Sequence, residues 1–218
     1  MLPHEAIVFD MDGVLADSEP VYFAAMRAVL APLGHEVTDD HQRAIMGHSI
    51  EATWAYLRET FSLEGPLDGL VEAYDRELVQ QLARITNPLP GVRELVAALR
   101  ERNVPIAVAS SSLPAWIEAL LGGIGLAETF DALVSATMVA HPKPAPDIYV
   151  EAARRLGKAP ERCIAIEDTP TGLTSAKAAG MLTVQVRSSS TAWPPQLEAA
   201  IVLESLREFD LRLVAGNK

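Results

Sequence analysis

Ala6–Gly13, with the sequence AIVFDMDG, is the stretch from which the fold of this chain can be predicted. Its first four residues are apolar without alternation, which is typical of a strand that helices cover on both faces of a sheet. Two carboxylates, Asp10 and Asp12, follow at once, and Gly13 permits a sharp turn of the chain. Because ligands bind outside the carboxyl ends of strands in an open parallel sheet, this stretch also predicts a functional site.

Four more apolar segments show the same pattern, and helical patterns separate them. We predict strands at Ala6–Asp10, Pro105–Ser110, Asp131–Ser135, Arg162–Asp168 and Leu182–Val186. We predict the intervening helices at Gly91–Arg102, Pro114–Leu121, Pro146–Leu156 and Thr169–Ala179. This alternation predicts the α/β class, with a doubly wound parallel sheet.

The segment between the first two strands is too long for a single crossover helix. Residues 15–87 contain no convincing strand pattern, but they contain helical patterns near Val21–Leu33, Asp39–Met46, Ile50–Phe61 and Leu67–Ile85. The Pro-rich stretch Asn87–Gly91 then leads back to the strands as a hinge. We therefore expect an inserted all-helical cap domain at 15–87 and a core domain at 1–14 and 88–218.

Composition and charge exclude several classes of protein. The 218 residues include 29 acidic and 18 basic side chains, a net charge of −11, which argues against nucleic-acid and anionic-membrane partners. Hydrophobic residues make up 49% of the chain, enough for a real core. The sequence shows no membrane span or signal peptide, and its single cysteine, Cys163, excludes an internal disulfide. We expect a soluble cytoplasmic protein, with a monomer as the default.

Polar residues follow the predicted strands at positions that share one edge of the sheet. They are Asp10, Asp12, Ser110, Ser111, Lys143, Glu167 and Asp168. Four carboxylates near one point repel one another unless a divalent cation lies among them. All-oxygen ligands with no nearby cysteine favour Mg²⁺.

These residue types suit the transfer of a phosphoryl group. A metal ion, a lysine ammonium and the amides of small residues can together bind phosphate oxygens. A free carboxylate beside them can attack phosphorus and form an acyl phosphate. A second carboxylate two residues further on can protonate the leaving oxygen.

The four motifs, in this order and after these strands, resemble those of the haloacid dehalogenase superfamily of phosphotransferases. The resemblance covers nearly the whole chain and is to the branch with a helical cap between the first two motifs. It implies that Asp10 is the nucleophile and forms an aspartyl-phosphate. It implies that Asp12 is the general acid, later the base that activates water, and that its backbone carbonyl contacts the metal.

The resemblance also assigns the remaining motif residues. Ser110 binds the transferring phosphate, and Ser111 adds its backbone amide. Gly13, which allows the sharp exit from the first strand, is a further substrate-binding residue. Lys143 neutralises the charge of nucleophile and phosphate. The metal ligands are Asp10, Asp12 and Asp168, with Glu167 either binding Mg²⁺ or ordering its waters. Simpler alternatives are helix capping for the serines, which Ser112 fits better than Ser110, and complementarity to a helix dipole for the acidic pair.

Within the superfamily, the sequence favours a hydrolase. Dehalogenases lack the second aspartate, and phosphonatases use a cap lysine, whereas the predicted cap contains no lysine. Beta-phosphoglucomutases carry a histidine, an arginine and a lysine at positions that hold Tyr22, Ile50 and roughly Gln80 here. These departures remove groups that would hold a second phosphate or delay hydrolysis of the acyl phosphate.

The charge of the predicted cap supports the same choice. Its 12 acidic and 5 basic residues give −7, which is poorly suited to a second phosphate but compatible with neutral sugar hydroxyls. Arg43, in Arg43–Ser49, is the one cationic candidate near the expected substrate loop, and an ion pair with Asp39 or Asp40 is an equal alternative. We thus expect a phosphatase for a small phosphorylated metabolite such as a sugar phosphate. The alternatives are a beta-phosphoglucomutase-like mutase and an inactive member used as a binding module.

Overall fold

The computed structural model describes residues 3–45, 50–190 and 192–215. Its centre is a six-stranded sheet in the order β3-β2-β1-β4-β5-β6, with every neighbouring pair parallel. The strands are β1 (Ala6–Phe9), β2 (Ile106–Ser110), β3 (Ala132–Ser135), β4 (Cys163–Glu167), β5 (Leu182–Val186) and β6 (Ile201–Leu203). The α/β class with a parallel sheet is confirmed, and the five predicted strands agree with the structure to within about one residue at each end.

The sixth strand was not predicted from the sequence. β6 has only three residues and pairs with β5 at the edge of the sheet, with Val186 opposite Leu203. Strand signals depend on an apolar run of about four to eight residues, so a three-residue edge strand falls below that length.

Eight α-helices accompany the sheet in the described residues. They are α1 (Glu19–Leu30), α2 (Asp39–Ile45), α3 (Ile50–Phe61), α4 (Asp68–Leu82), α5 (Val92–Glu101), α6 (Pro114–Gly123), α7 (Asp147–Arg155) and α8 (Pro170–Ala178). Helix α7 packs closely on β1, β2 and β3, because alanines line the strands beneath it. Its buried residues are Ile148, Tyr149, Ala152 and Ala153. This packing fixes α7 relative to the carboxyl ends of the strands.

The chain divides into two compact units. The first comprises Met1–Glu19 with Ala83–Lys218 and holds all six strands. The second, Pro20–Leu82, is helical over its described residues, and its interior includes Trp54 and Tyr74 in edge-to-face contact, with ring centroids 5.7 Å apart. Its limits differ from those of the predicted cap, 15–87, by about five residues at each end. Among the described residues, no helix has the length and apolar character needed to cross a membrane.

The strand order determines where a ligand site is expected. From β1 the chain adds β2 and β3 on one side, and then β4, β5 and β6 on the other. The direction of winding therefore reverses between β1 and β4. In doubly wound sheets the ligand crevice lies at this reversal, outside the carboxyl ends of the two strands.

Candidate active site

The carboxylates Asp10 and Asp168 lie at this reversal point, one after β1 and the other after β4. The amide of Asp10 still donates to the carbonyl of Ile166, at 2.8 Å, so the two strand ends are joined where the acidic residues begin. Gly13 turns the chain with φ of 74°, and a Cβ atom there would lie 2.0 Å from Asp168 Oδ2. Glycine is therefore required both by the left-handed backbone and by the close approach of the carboxylate.

Lys143 reaches the carboxylate of Asp10 from the loop before α7, within the first unit. Its Nζ atom donates to Asp10 Oδ1 at 2.5 Å, to Glu167 Oε1 at 2.6 Å and to the carbonyl of Ala109 at 3.2 Å. These three acceptors match the three protons of the ammonium group. Burial lowers the pKa of Lys143, but the charges of Asp10 and Glu167 outweigh burial and raise it, so the ammonium stays charged.

Glu167 is held by donors on both carboxylate oxygens. Oε1 accepts from the lysine and from the Tyr149 hydroxyl, at 2.8 Å. Oε2 accepts from the amide of Asp168 at 3.0 Å, and from the amide and hydroxyl of Thr169 at 3.2 and 3.1 Å. A Cβ at Gly172 would lie 1.7 Å from Oε1, so this glycine makes room for the carboxylate. Burial alone raises the pKa of Glu167, but the lysine and these hydrogen bonds lower it overall.

The acidic residues fit a divalent cation. Oxygens of Asp10, Glu167 and Asp168 lie within 4.8 Å of one another, and all three residues are buried. Oδ1 of Asp168 is buried and has no hydrogen-bond partner among the described residues, an arrangement that proteins rarely leave without a ligand. Burial, as the largest cause, raises the pKa of Asp10 and of Asp168 well above the ordinary range. Among the described residues, one ammonium, bound to Asp10 and Glu167, thus serves three buried carboxylates, and a cation would neutralise the excess negative charge.

Asp12 is held by two serines. The hydroxyl of Ser18 donates to Oδ1, and that of Ser112 donates to Oδ2 at 3.0 Å. The carboxylate of Asp12 is not among the clustered metal-type oxygens of the described residues, so its metal contact through the backbone carbonyl stays a prediction. Sequence reasoning did not assign Ser18, and it favoured helix capping for Ser112. Helix α6 is instead capped at Leu113, without a side-chain hydrogen bond.

Of the other predicted phosphate- and substrate-binding residues, Ser110 and Ser111 belong to the first unit and Arg43 to the second. Ser110 ends β2, is fully buried, and its hydroxyl accepts from the amide of Ser112 at 3.1 Å. Ser111 follows it and is exposed. Arg43 belongs to the second unit and forms an exposed ion pair with Asp40, which is the alternative that the sequence left open. Most of the expected substrate loop, residues 46–49, lies outside the described residues.

Tyr149 was missed by the sequence analysis. It is fully buried on α7, and Lys143 Nζ lies 5.1 Å from the centroid of its ring. Burial, followed by the charge of Glu167, raises the pKa of its hydroxyl well above the ordinary range, so the hydroxyl remains a donor. The available signal was a tyrosine on the apolar face of a helix, because a buried tyrosine hydroxyl usually has a hydrogen-bond partner.

Comparison with known proteins places the chain in a family. The family model of haloacid dehalogenase-like hydrolases matches residues 4–180. The chain is 34% identical to hexitol phosphatase B of Escherichia coli K12, with 97% of this chain and 96% of that protein covered. It is 29% identical to beta-phosphoglucomutase of Bacillus subtilis, with 96% and 93% covered. The chain belongs to the haloacid dehalogenase-like hydrolases.

A solved structure agrees with this membership. CbbY of Rhodobacter sphaeroides, crystallised with xylulose 1,5-bisphosphate, matches with a TM-score of 0.82 and 27% identity. The match covers 97% of this chain and 99% of that chain. The superfamily resemblance drawn from the four motifs is therefore confirmed.

Proposed function

We propose that this chain is a Mg²⁺-dependent phosphatase that hydrolyses a small phosphorylated metabolite, a sugar phosphate, through an aspartyl-phosphate on Asp10. The observation that carries the proposal is the buried group in which Lys143 joins Asp10 to Glu167 while Oδ1 of Asp168 lacks a partner among the described residues. The excess of buried negative charge suits a cation and a phosphate-binding ammonium in one place. The names of the relatives, a hexitol phosphatase among them, support the substrate class.

In the first step, a carboxylate oxygen of Asp10 attacks phosphorus. A bond forms between that oxygen and phosphorus, while the bond from phosphorus to the metabolite oxygen breaks. Asp12 gives its proton to the leaving oxygen, and the serines that hold its carboxylate, Ser18 and Ser112, keep it oriented. The ammonium of Lys143 neutralises the phosphoryl charge that develops beside Asp10.

In the second step, water attacks the phosphorus of the aspartyl-phosphate and Asp12 accepts its proton. Inorganic phosphate leaves, and the carboxylate of Asp10 is regenerated. A bound Mg²⁺ would be held by Asp10 and Asp168 and would supply positive charge for the phosphate oxygens. Glu167, with donors on both oxygens, orients Lys143 and the loop after β4 in this proposal.

We propose that the second unit is the cap and that it selects the substrate. Tyr22, Ile50 and Gln80, which stand where mutases carry charged or basic side chains, lie on its helices. In our proposal, water is therefore the final acceptor of the phosphoryl group. We also propose that the enzyme is a cytoplasmic monomer. The mutase alternative predicts glucose 6-phosphate from beta-glucose 1-phosphate with little release of phosphate, so an assay of both products separates the two reactions.

The decisive test is the Asp10→Asn variant with p-nitrophenyl phosphate and a panel of sugar phosphates. We expect loss of turnover, because the amide is a poor nucleophile. The circular dichroism spectrum should be unchanged, because asparagine has nearly the same size as aspartate. Asp68→Asn, an exposed aspartate at the start of α4, is the matched control and should retain activity. Full activity of Asp10→Asn would overturn the nucleophile assignment, and an inactive wild type across the panel with Mg²⁺ would favour a binding module.

A further inference from the structure

The Tyr149 hydroxyl lies behind the Lys143–Glu167 ion pair, on the side of helix α7. It donates to Glu167 Oε1 at 2.8 Å, the same oxygen that accepts from Lys143 Nζ at 2.6 Å. The lysine in turn donates to Asp10 Oδ1 at 2.5 Å. An unbroken chain of buried hydrogen bonds thus runs from the hydroxyl to the proposed nucleophile.

Tyr149 and Lys143, the two side chains that donate to Glu167 Oε1, differ in rigidity. Tyr149 has only two side-chain torsions, and its ring is fully buried where α7 packs on the alanines of β2. Lys143 has four torsions and lies in the loop before α7, so fixing its ammonium costs more conformational entropy. The ring face, 5.1 Å from Nζ, limits the ammonium further.

We propose that Tyr149 is a positioning residue for phosphoryl transfer. Its hydroxyl fixes Oε1 of Glu167, and the fixed carboxylate holds the Lys143 ammonium on Asp10. Without the hydroxyl, Lys143 is the one remaining donor to Oε1 among the described residues, so the carboxylate can turn about its Oε2 hydrogen bonds and shift the ammonium away from Asp10. This inference rests on the proposed function of Asp10 and Lys143, but the contact it concerns joins side chains of the chain itself.

The kinetic test compares Tyr149→Phe with wild type, at a temperature well below unfolding. The variant keeps the ring and loses one hydrogen bond to a charged group, so kcat should fall about tenfold while KM changes little. Tyr74→Phe, which removes the hydroxyl of a buried tyrosine in the second unit, is the matched control and should keep wild-type kcat. A lowered melting temperature with unchanged kcat would assign Tyr149 a structural role only and overturn the proposal.

A second measurement follows the ammonium itself. The chain has four lysines, so ¹⁵N-lysine labelling of the metal-free protein gives few signals, and Lys143→Met identifies the one from Lys143. In wild type we expect its ammonium protons to exchange slowly with water, because three acceptors bind them in a buried site. Tyr149→Phe should accelerate this exchange, and Tyr74→Phe should not.

The two measurements separate the inference from the proposed function. If wild type hydrolyses no substrate but Tyr149→Phe accelerates ammonium exchange, the proposed function fails while the positioning contact stands. If wild type is active, Asp10→Asn is inactive, and Tyr149→Phe matches wild type in kcat and exchange, the function stands and the positioning proposal is overturned.

Discussion

At the scale of single residues, the site depends on close approaches that leave no room for additional atoms. Gly13 and Gly172 both face carboxylates, and a Cβ at either would lie 2.0 Å or less from an oxygen of Asp168 or Glu167. Lys143 is similarly constrained, because three acceptors account for all its ammonium protons. Substitutions at these three positions should therefore reduce activity more than stability, since the atoms that they displace belong to the site.

Gly13→Ala tests this close approach. Its Cβ would collide with Asp168 and its backbone would be strained at φ of 74°, so we expect a large loss of kcat and weaker Mg²⁺ binding. Gly69→Ala is the control, because nothing lies within 4 Å of its Cβ and it sits inside α4. The control should raise the free energy of unfolding by about 0.4–1 kcal/mol. Wild-type kinetics for Gly13→Ala would contradict the requirement for glycine at this turn.

At the scale of elements, helix α7 has one face buried against the candidate site and one exposed face that carries charges. Tyr149 points into the site, while Glu151 accepts hydrogen bonds from Arg154 and Arg155 one turn further on. Such ion pairs on a helix surface contribute little each, and salt screens them. The buried face should therefore decide activity, and the exposed face should alter stability only slightly.

Glu151→Gln tests the exposed face through pH. Hydrogen bonds from Arg154 and then Arg155 lower the pKa of Glu151 to about 2. A carboxyl with a lowered pKa in the folded state adds stability above its unfolded pKa and loses it as the pH falls towards the folded pKa. The melting temperature of the variant should be slightly below wild type at pH 7, and the gap should narrow as the pH falls from 4.5 towards about 2.

The control for that experiment is Glu118→Gln, an exposed carboxyl on α6. It makes the same change of charge at a position outside the α7 ion pairs. A gap between wild type and Glu151→Gln that stays constant from pH 7 to pH 3 would contradict the assignment to ionised Glu151.

At the scale of the whole molecule, the parallel sheet brings distant parts of the sequence to one point. The sequence predicts the strands, the parallel sheet and the residues at the strand ends because buried apolar runs and acidic turns are local patterns. It does not predict Tyr149 on Glu167 or Ser112 on Asp12, because strand ends and helix faces locate a residue without specifying which side chain it will contact. The short strand β6 was missed because three residues carry too little pattern.

The proposed metal site joins the end of β1 to the end of β4, so its occupancy should affect the stability of the first unit. After removal of metal with a chelator, we expect loss of activity, and added Mg²⁺ should restore activity and raise the melting temperature. At a Mg²⁺ concentration of 100 times the dissociation constant, binding should raise the free energy of unfolding by about 2.7 kcal/mol. Because burial raises the pKa of Asp10 and Asp168, protons compete with the ion, and Mg²⁺ affinity should fall as the pH falls.

Asp168→Asn is the control for metal binding, since it removes the charge of the carboxylate whose Oδ1 lacks a partner among the described residues. Its melting temperature should not respond to Mg²⁺. An equal response of wild type and Asp168→Asn to Mg²⁺ would place the ion elsewhere in the molecule.

The central claim is that phosphate is transferred to Asp10 before water releases it. The most direct measurement is a rapid acid quench of wild type during turnover of a phosphate-labelled substrate, followed by proteolysis and mass spectrometry. We expect the label on the peptide that contains Asp10, and none on that peptide in Asp10→Asn. Label on another residue, or rapid turnover with no labelled protein at any time, would contradict the account.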